Sequence, residues 1–247
     1  MSIEKLANDV LDELKKKYPA FLIESHFQYE FAFVLADKYG MDVHLERYAK
    51  PMGGKNSLEE GKEKDSWRVD LEAISGNERY MFEFKYPTAS VDVKLPGRNI
   101  TLHLKDQVGG KAKKIGIWRD IEKLEDLKRS GKCTQACFVM LTNDWGTVNS
   151  RSRGSNDVLD IYEGREFKGG DFTYTSKQTV HTIHITNPYT FNYKDYSTIN
   201  DPNARAEKRI FKSLILPIKK EQSSSAYQFW DKSFDILIKT GKNPQGG

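Results

Sequence analysis

The stretch WRVDLEAISGNERYMFEFKY, running from Trp67 to Tyr86, decides how this chain is read. Two runs rich in β-branched and aromatic residues, Trp67 to Ile74 and Tyr80 to Tyr86, bracket Ser75-Gly76-Asn77-Glu78, and Gly-Asn suits a two-residue type II′ turn. The spacing predicts a tight antiparallel hairpin with Asp70 opposite Glu83 and Arg68 opposite Lys85. Because side chains alternate across a strand, Tyr80, Phe82, Phe84 and Tyr86 share one face, while Met81, Glu83 and Lys85 share the other; in the first strand Arg68, Asp70 and Glu72 share a face. Two carboxylates then stand side by side, with Cβ atoms about 4.5–5.5 Å apart, an arrangement that repels itself unless a cation lies between them. A hard divalent ion suits that gap. Mg²⁺ takes one or two carboxylates plus water and phosphate oxygens, and the Phe84 carbonyl offers a further oxygen beside Asp70 and Glu83. Lys85, on the Glu83 face, can hold or polarise an attacking water.

The triplet Glu-x-Lys recurs at Glu13-Leu14-Lys15, Glu60-Gly61-Lys62 and Glu166-Phe167-Lys168, so context must select among the copies. Only Glu83-Phe84-Lys85 combines apolar alternation with an acid across a turn. The competing reading makes Asp70, Glu83 and Lys85 the wet face of a surface hairpin, with Lys85 neutralising both acids.

Upstream, Leu6, Val10, Leu11 and Leu14 fall at helical spacing within Glu4 to Lys17. A second helix starts near Glu24 or Ser25, carries Phe27, Phe31, Val34 and Leu35 on one face, and stops at Gly40. Val43, Leu45 and Arg47 read as a strand before Lys50 to Ser66, which reads as a mobile loop. Downstream, Val91 to Leu95 and Ile100 to Leu104 form a second hairpin around Pro96 to Asn99. A helix follows with Ile117, Ile121, Leu124 and Leu127 buried and a Lys- and Glu-bearing face toward solvent, ending at Gly131. Ala136 to Leu141 reads as a strand buried on both faces. Beyond Asn143 lie a Ser, Arg and Gly loop, a β-rich stretch from Thr173 to Ile185, Leu214 to Ile218, and a last strand at Phe234 to Ile238.

At 247 residues, with 39 Lys and Arg against 35 Asp and Glu, the chain is long enough to bury a core and too balanced in charge for basicity alone to name a partner. No apolar run approaches the roughly 20 residues that cross a bilayer, and the opening residues carry Glu4 and Asp9, so no membrane partner and a cytoplasmic site are expected. Cys133 and Cys137 read as neighbours on one strand, too far apart to bridge each other. A single domain is expected, with its core over 24–142, an N-terminal helix over 4–17 and a β-rich extension over 143–247.

Asp70, twelve intervening residues, then Glu83-Phe84-Lys85, preceded by a helix containing Glu30 and followed by a helix and a buried strand, resemble the PD-(D/E)XK phosphodiesterase superfamily. The usual Pro before the Asp is Val69 here. More narrowly, Glu83-Phe84-Lys85-Tyr86, Leu104-Lys105-Asp106-Gln107, Trp118 to Leu124 and Leu141-Thr142-Asn143-Asp144 resemble a bacterial group within it. The resemblance covers about half the chain. It implies an α/β fold with a restriction-endonuclease-like core, a mixed central sheet flanked by helices, here with extra C-terminal strands. It also implies a metal-dependent nuclease, most simply a DNA endonuclease of restriction or defence type. Asp70, Glu83 and the Phe84 carbonyl would hold Mg²⁺, for which Mn²⁺ could substitute, with Lys85 orienting the water. The same resemblance makes Glu30 a ligand or water contact and Gln107 a polar neighbour of the site.

Lys105, Lys111, Lys113, Lys114 and Arg119, against Asp106 and Asp120, form the most locally basic segment and could track a phosphate backbone, although a solvated helix face explains them equally. Arg98 at the second hairpin tip, and Arg151 with Arg153, are weaker candidates for the same work. His181 and His184 point to opposite faces of a strand and read as structural; Trp118, Trp145 and Trp230 read as packing residues. Double-stranded DNA is the expected partner, and a homodimer is compatible with the resemblance. The alternative is a nucleic-acid or protein binding module that keeps the nuclease fold without turnover.

Overall fold

The turn forms at Gly76, whose φ is +58° while Asn77 stays outside the left-handed region, as a type II′ turn requires. Around it the two strands pair antiparallel from Ser75 with Glu78 to Leu71 with Phe82, so the expected register holds that far; the expected facing of Arg68 and Lys85, and the shared face of Arg68, Asp70 and Glu72, are corrected, because the ladder ends at Leu71 and Val69 and Leu71 enter opposite cores. The computed structural model describes residues 1–49, 67–95, 97, 99–107, 111–149, 158–176 and 179–219. The Lys50 to Ser66 loop, Arg98, Arg151, Arg153, Trp230 and the final strand at Phe234 to Ile238 lie outside the described residues, as does the side chain of Lys111.

In chain order the elements are α1 (Ile3–Lys17), α2 (Glu24–Tyr39), β1 (Asp42–Ala49), β2 (Trp67–Ser75), β3 (Glu78–Lys85), β4 (Val91–Lys94), β5 (Thr101–Leu104), α3 (Lys111–Arg129), β6 (Gln135–Thr142) and α4 (Trp145–Val148). They continue as β7 (Glu166–Phe167), β8 (Gly170–Ser176), β9 (Thr179–Ile185), β10 (Tyr189–Thr190), β11 (Tyr193–Thr198) and β12 (Ile210–Pro217). The central sheet runs β1-β2-β3-β6-β12-β11, with β3 and β6 parallel and every other neighbouring pair antiparallel. Joining two parallel strands demands a crossover, and α3 supplies it after the β4–β5 hairpin. The protein is therefore α/β, a mixed sheet flanked by helices. No helix among the described residues is long and apolar enough to cross a membrane.

Each face of the sheet has its own core. On one face Phe27 and Phe31 of α2 pack edge-on or tilted against Phe82 and Phe84, with ring centroids 5.0–5.3 Å apart, and Leu6, Val10 and Leu14 of α1 complete the layer. On the other face Met81 and the stripe Ile117, Ile121, Leu124 and Leu127 of α3 come together. Strand β6 serves both: Cys137, Val139 and Leu141 point to the α1–α2 layer, while Ala136, Phe138 and Met140 point to α3. Its unbroken apolar run follows from that double burial. Cys133 precedes the strand, and both cysteines are buried and free.

Three further expectations are corrected. The N-terminal helix is no appendage, because α1 sits in the main core and its Ile3 N–H donates to Gln135 Oε1 at 2.7 Å. The C-terminal extension completes the central sheet, since β12 pairs with β6 and β11 with β12. The polar face of α3 is not solvated: the β8–β9 hairpin covers it, and Glu122, Lys123 and Glu125 are buried. Glu125 satisfies its burial by accepting from the N–H groups of Thr186 and Asn187, from the Asn187 amide and from the Tyr189 hydroxyl, at 2.7–3.0 Å. Trp145 is also exposed rather than packed, whereas Trp118 is fully buried.

Unpaired buried donors each cost about 1–3 kcal/mol, so Glu125→Ala is expected to lower unfolding stability by at least about 3 kcal/mol. Glu125→Gln, which keeps one acceptor oxygen, is expected to lose less. Urea denaturation with the slope held constant measures both.

Candidate active site

The β2–β3 ladder stops at Leu71 and Phe82, and the next facing pair is Asp70 and Glu83. There side chains replace ladder bonds: the Asp70 N–H donates to Glu83 Oε1 at 3.2 Å, and the Phe84 N–H donates to Asp70 Oδ2 at 2.9 Å. The two carboxylates thus converge on one face. On the other side of β2, the β1 residue facing Asp70 is Glu46, between the pairs Leu45 with Leu71 and Arg47 with Val69. Glu46 has φ +53°, a left-handed conformation that costs a side-chain-bearing residue about 1–2 kcal/mol. Its carboxylate meets Arg68 at 2.7 Å. Val69 belongs to the α3-side core and Leu71 to the opposite one, so β2 changes its facing at Asp70, where the ladders on both flanks are interrupted.

Helix α3 delivers the counter-charges. Lys123 Nζ lies 2.7 Å from Glu83 Oε1 and donates to the Arg68 carbonyl at 2.9 Å, while Lys85 Nζ lies 2.5 Å from Asp120 Oδ2. Asp120 Oδ1 is 3.4 Å from Lys123. Lys113, Gly116, Asp120 and Lys123 follow helical spacing along one stripe, and the Lys85 stem passes beside Gly116, its Cε 3.9 Å from where a Cβ would stand, an ordinary contact distance. From the opposite layer, Glu24 Oε2 accepts from the Tyr86 N–H at 2.8 Å. Tyr86 is itself anchored, its hydroxyl donating to the Phe21 carbonyl and accepting from the Phe21 N–H, both at 2.8 Å.

Burial dominates the electrostatics. It pushes Asp70 above the usual carboxylate range, offset partly by the Phe84 N–H, Lys85 and Lys123. It pushes Glu83 higher still, with Asp120 adding repulsion and Lys123 opposing it. Glu24 is raised by burial, against the pull of Lys85. For Lys85, burial acts downward, but Asp120 and Glu24 outweigh it and hold the ammonium above the ordinary lysine value. Four carboxylates, Glu24, Asp70, Glu83 and Asp120, face two ammonium groups, Lys85 and Lys123, which leaves a formal charge of −2 when all are ionised.

Asp70 and Glu83 are linked by the Asp70 N–H, and Lys85, two residues along β3, pairs with Asp120 rather than with either acid; the remaining candidates are placed as follows. Glu30 accepts from the Tyr18 hydroxyl at 3.0 Å and lies 3.7 Å from His26, away from the acids; the α2 carboxylate beside Lys85 is Glu24, six residues earlier and on another side of the helix. The Phe84 carbonyl accepts from Lys85 Nζ at 3.1 Å, so an ion there would share it with that ammonium. Gln107 precedes α3, is exposed, and is tied by its backbone N–H to the Thr88 carbonyl at 2.6 Å. Lys105 is exposed. Lys114 is consumed by a buried ion pair with Asp160. Lys113 is half-buried, lowered by that burial, with Asp144 and Glu24 acting against it. His181 contacts Arg119 and His184 contacts Asp171, in keeping with structural roles. Glu72, two residues beyond Asp70, is buried between Arg79 and Arg47 at 3.0 and 3.5 Å. Among the described residues no group of three His, Cys, Asp or Glu side chains is close enough to share an ion.

Glu24, Asp120 and Lys123 escape a reading from sequence. Glu24 carries one signal, its place in the first turn of α2; the α3 residues carry none, because charged positions beside an apolar stripe resemble any wet helix face. Comparison with protein-family models, with curated proteins and with solved structures gives no significant match.

A carboxyl whose pKa is raised by folding contributes stability that is fully present below its unfolded value, about 4, and lost as pH rises through the folded value. Asp70→Asn, which can still accept from Phe84, is therefore expected to melt about 2–4 °C above the wild type at pH 8, the response to about 1 kcal/mol in a domain of this size. The gain should vanish toward pH 4. Thermal melts across that interval measure it.

Proposed function

We propose that the protein is a metal-dependent phosphodiesterase of the PD-(D/E)XK kind acting on nucleic acid, with Asp70, Glu83 and Lys85 as its reactive group. The observation that carries this reading is the convergence of Asp70 and Glu83 where the β2–β3 ladder ends, with Lys85 two residues along β3 and still on the same face. The order of elements supports it too: a helix, three antiparallel strands, a helix and a fourth strand are what that superfamily resemblance implies, and α2, β1, β2, β3, α3 and β6 follow that order.

The donors suit a hard divalent ion by type, all oxygen, and by the residual charge of −2. Asp70 and Glu83 would hold it through the oxygens not committed to Phe84 N–H and to Lys123. When bound, such an ion neutralises developing charge on a phosphodiester and lowers the pKa of a water. Lys85, kept protonated by Asp120 and Glu24, stabilises the extra negative charge of the pentacoordinate phosphate. Glu24, tied to the Tyr86 N–H, adds its negative charge to the pull on that ammonium. Mg²⁺ is the proposed ion, with Mn²⁺ as a substitute, and duplex DNA cut internally, as in restriction or defence, is the proposed substrate; a homodimer is compatible with that use.

One observation favours the second reading, a binding module without turnover: Glu83 and Lys85 are already paired, with Lys123 and Asp120 respectively. Incubation with plasmid, linear duplex, single-stranded DNA and RNA, with Mg²⁺ or Mn²⁺ and with chelator, separates the two. Metal-dependent cleavage is expected in the wild type, reduced about 10²–10³-fold or more in Asp70→Ala and in Lys85→Ala, with circular dichroism spectra unchanged. Full cleavage by both variants would remove the assignment; duplex binding without cleavage would establish the module.

A further inference from the structure

Lys123 already behaves as a resident cation of the acid cluster. Its Nζ meets Glu83 Oε1 at 2.7 Å, the Arg68 carbonyl at 2.9 Å and Asp120 Oδ1 at 3.4 Å, with the side chain only 11% exposed. Three oxygens from β3, β2 and its own helix surround one ammonium. The Glu83 oxygen it touches also accepts the Asp70 N–H, so Lys123 sits at the junction of the two acids. We propose that Lys123 is an internal competitor for the divalent ion: it neutralises Glu83 in the ion-free protein, sets the affinity of the site, and withdraws toward Asp120 when an ion takes Glu83.

The proposal rests on the metal-dependent reading and adds to it a determinant of how tightly the ion is held. A unit positive charge directly on a ligand oxygen repels an arriving dication far more strongly in a partly buried site than in water. Withdrawal is open to Lys123 because its flexible four-carbon stem carries a compact charge, and Asp120 Oδ1 already lies at the edge of its reach. Lys85 does not compete in the same way, since its ammonium is committed to Asp120 Oδ2 and the Phe84 carbonyl and touches neither Asp70 nor Glu83 directly.

Calorimetric titration with Mn²⁺, with no substrate present, compares the wild type with Lys123→Met, a neutral side chain of similar length. The variant is expected to bind at least about tenfold more tightly; equal or weaker binding overturns the proposal. Because losing Lys123 leaves Glu83 buried without its counter-charge, a second measurement needs only folded wild-type protein. The side-chain nitrogen resonance of Lys123, assigned against Lys123→Arg, should move on saturation with Mg²⁺, and a resonance that stays in place also overturns the proposal. Ion binding by neither protein removes the metal reading and this inference together. Tighter binding by Lys123→Met with no cleavage of any nucleic acid sustains the role of Lys123 and removes the nuclease reading alone.

Discussion

A hairpin register that sets two acids side by side at the end of a ladder demands positive charge. Part of that charge lies in the hairpin itself, at Lys85, and the charge that meets Glu83 directly comes from α3, at Lys123. The turn at Gly76 fixes which residues face each other, and the aromatic packing of Phe82 and Phe84 on α2 fixes which way β3 is turned. Once those are set, Glu83 must point toward α3, and an unpaired carboxylate there would be prohibitively desolvated. Lys123 and Lys85, bridged by Asp120, offset part of that liability. Such pairs need not add stability over apolar residues of the same shape.

The cluster draws on both layers that sandwich the sheet. Glu24 comes from the α2 side, through Tyr86 at the end of β3, and Asp120 with Lys123 from the α3 side. Lys85, the last residue of β3, feels both. Helix α3 is itself held from behind, by the end of β9, where the His184 N–H donates to Glu122, and by the two residues after it, whose N–H groups donate to Glu125. The rigidity of the site therefore depends on residues nearly two hundred positions from the chain start, in the part that completes the sheet.

How much of this could be read from sequence follows from the range of the interactions. The hairpin register was legible because a two-residue Gly-Asn loop pins it locally, and the two-faced burial of β6 because an unbroken apolar run leaves no alternative. The choice between Glu24 and Glu30 was not legible. Both sit on one helix, and what separates them is the position of the Tyr86 N–H, a contact 62 residues away in sequence. Asp120 and Lys123 look solvated until α3 is known to lay them against Arg68, Glu83 and Lys85 of the β2–β3 hairpin. Likewise Lys114 looked like a phosphate contact because its partner, Asp160, lies on a distant loop. The pairing of β12 with β6 depends on strand order, which composition does not encode.

Glu46 bears on more than the freeing of Asp70. Among the described residues β1 is a terminal strand of the central sheet, and the outer backbone groups of such a strand can template the addition of a neighbouring molecule's strand. A left-handed residue in mid-strand interrupts the straight row of donors and acceptors that such templating needs. The same left-handed residue that faces Asp70 thus also breaks the regularity of the sheet margin.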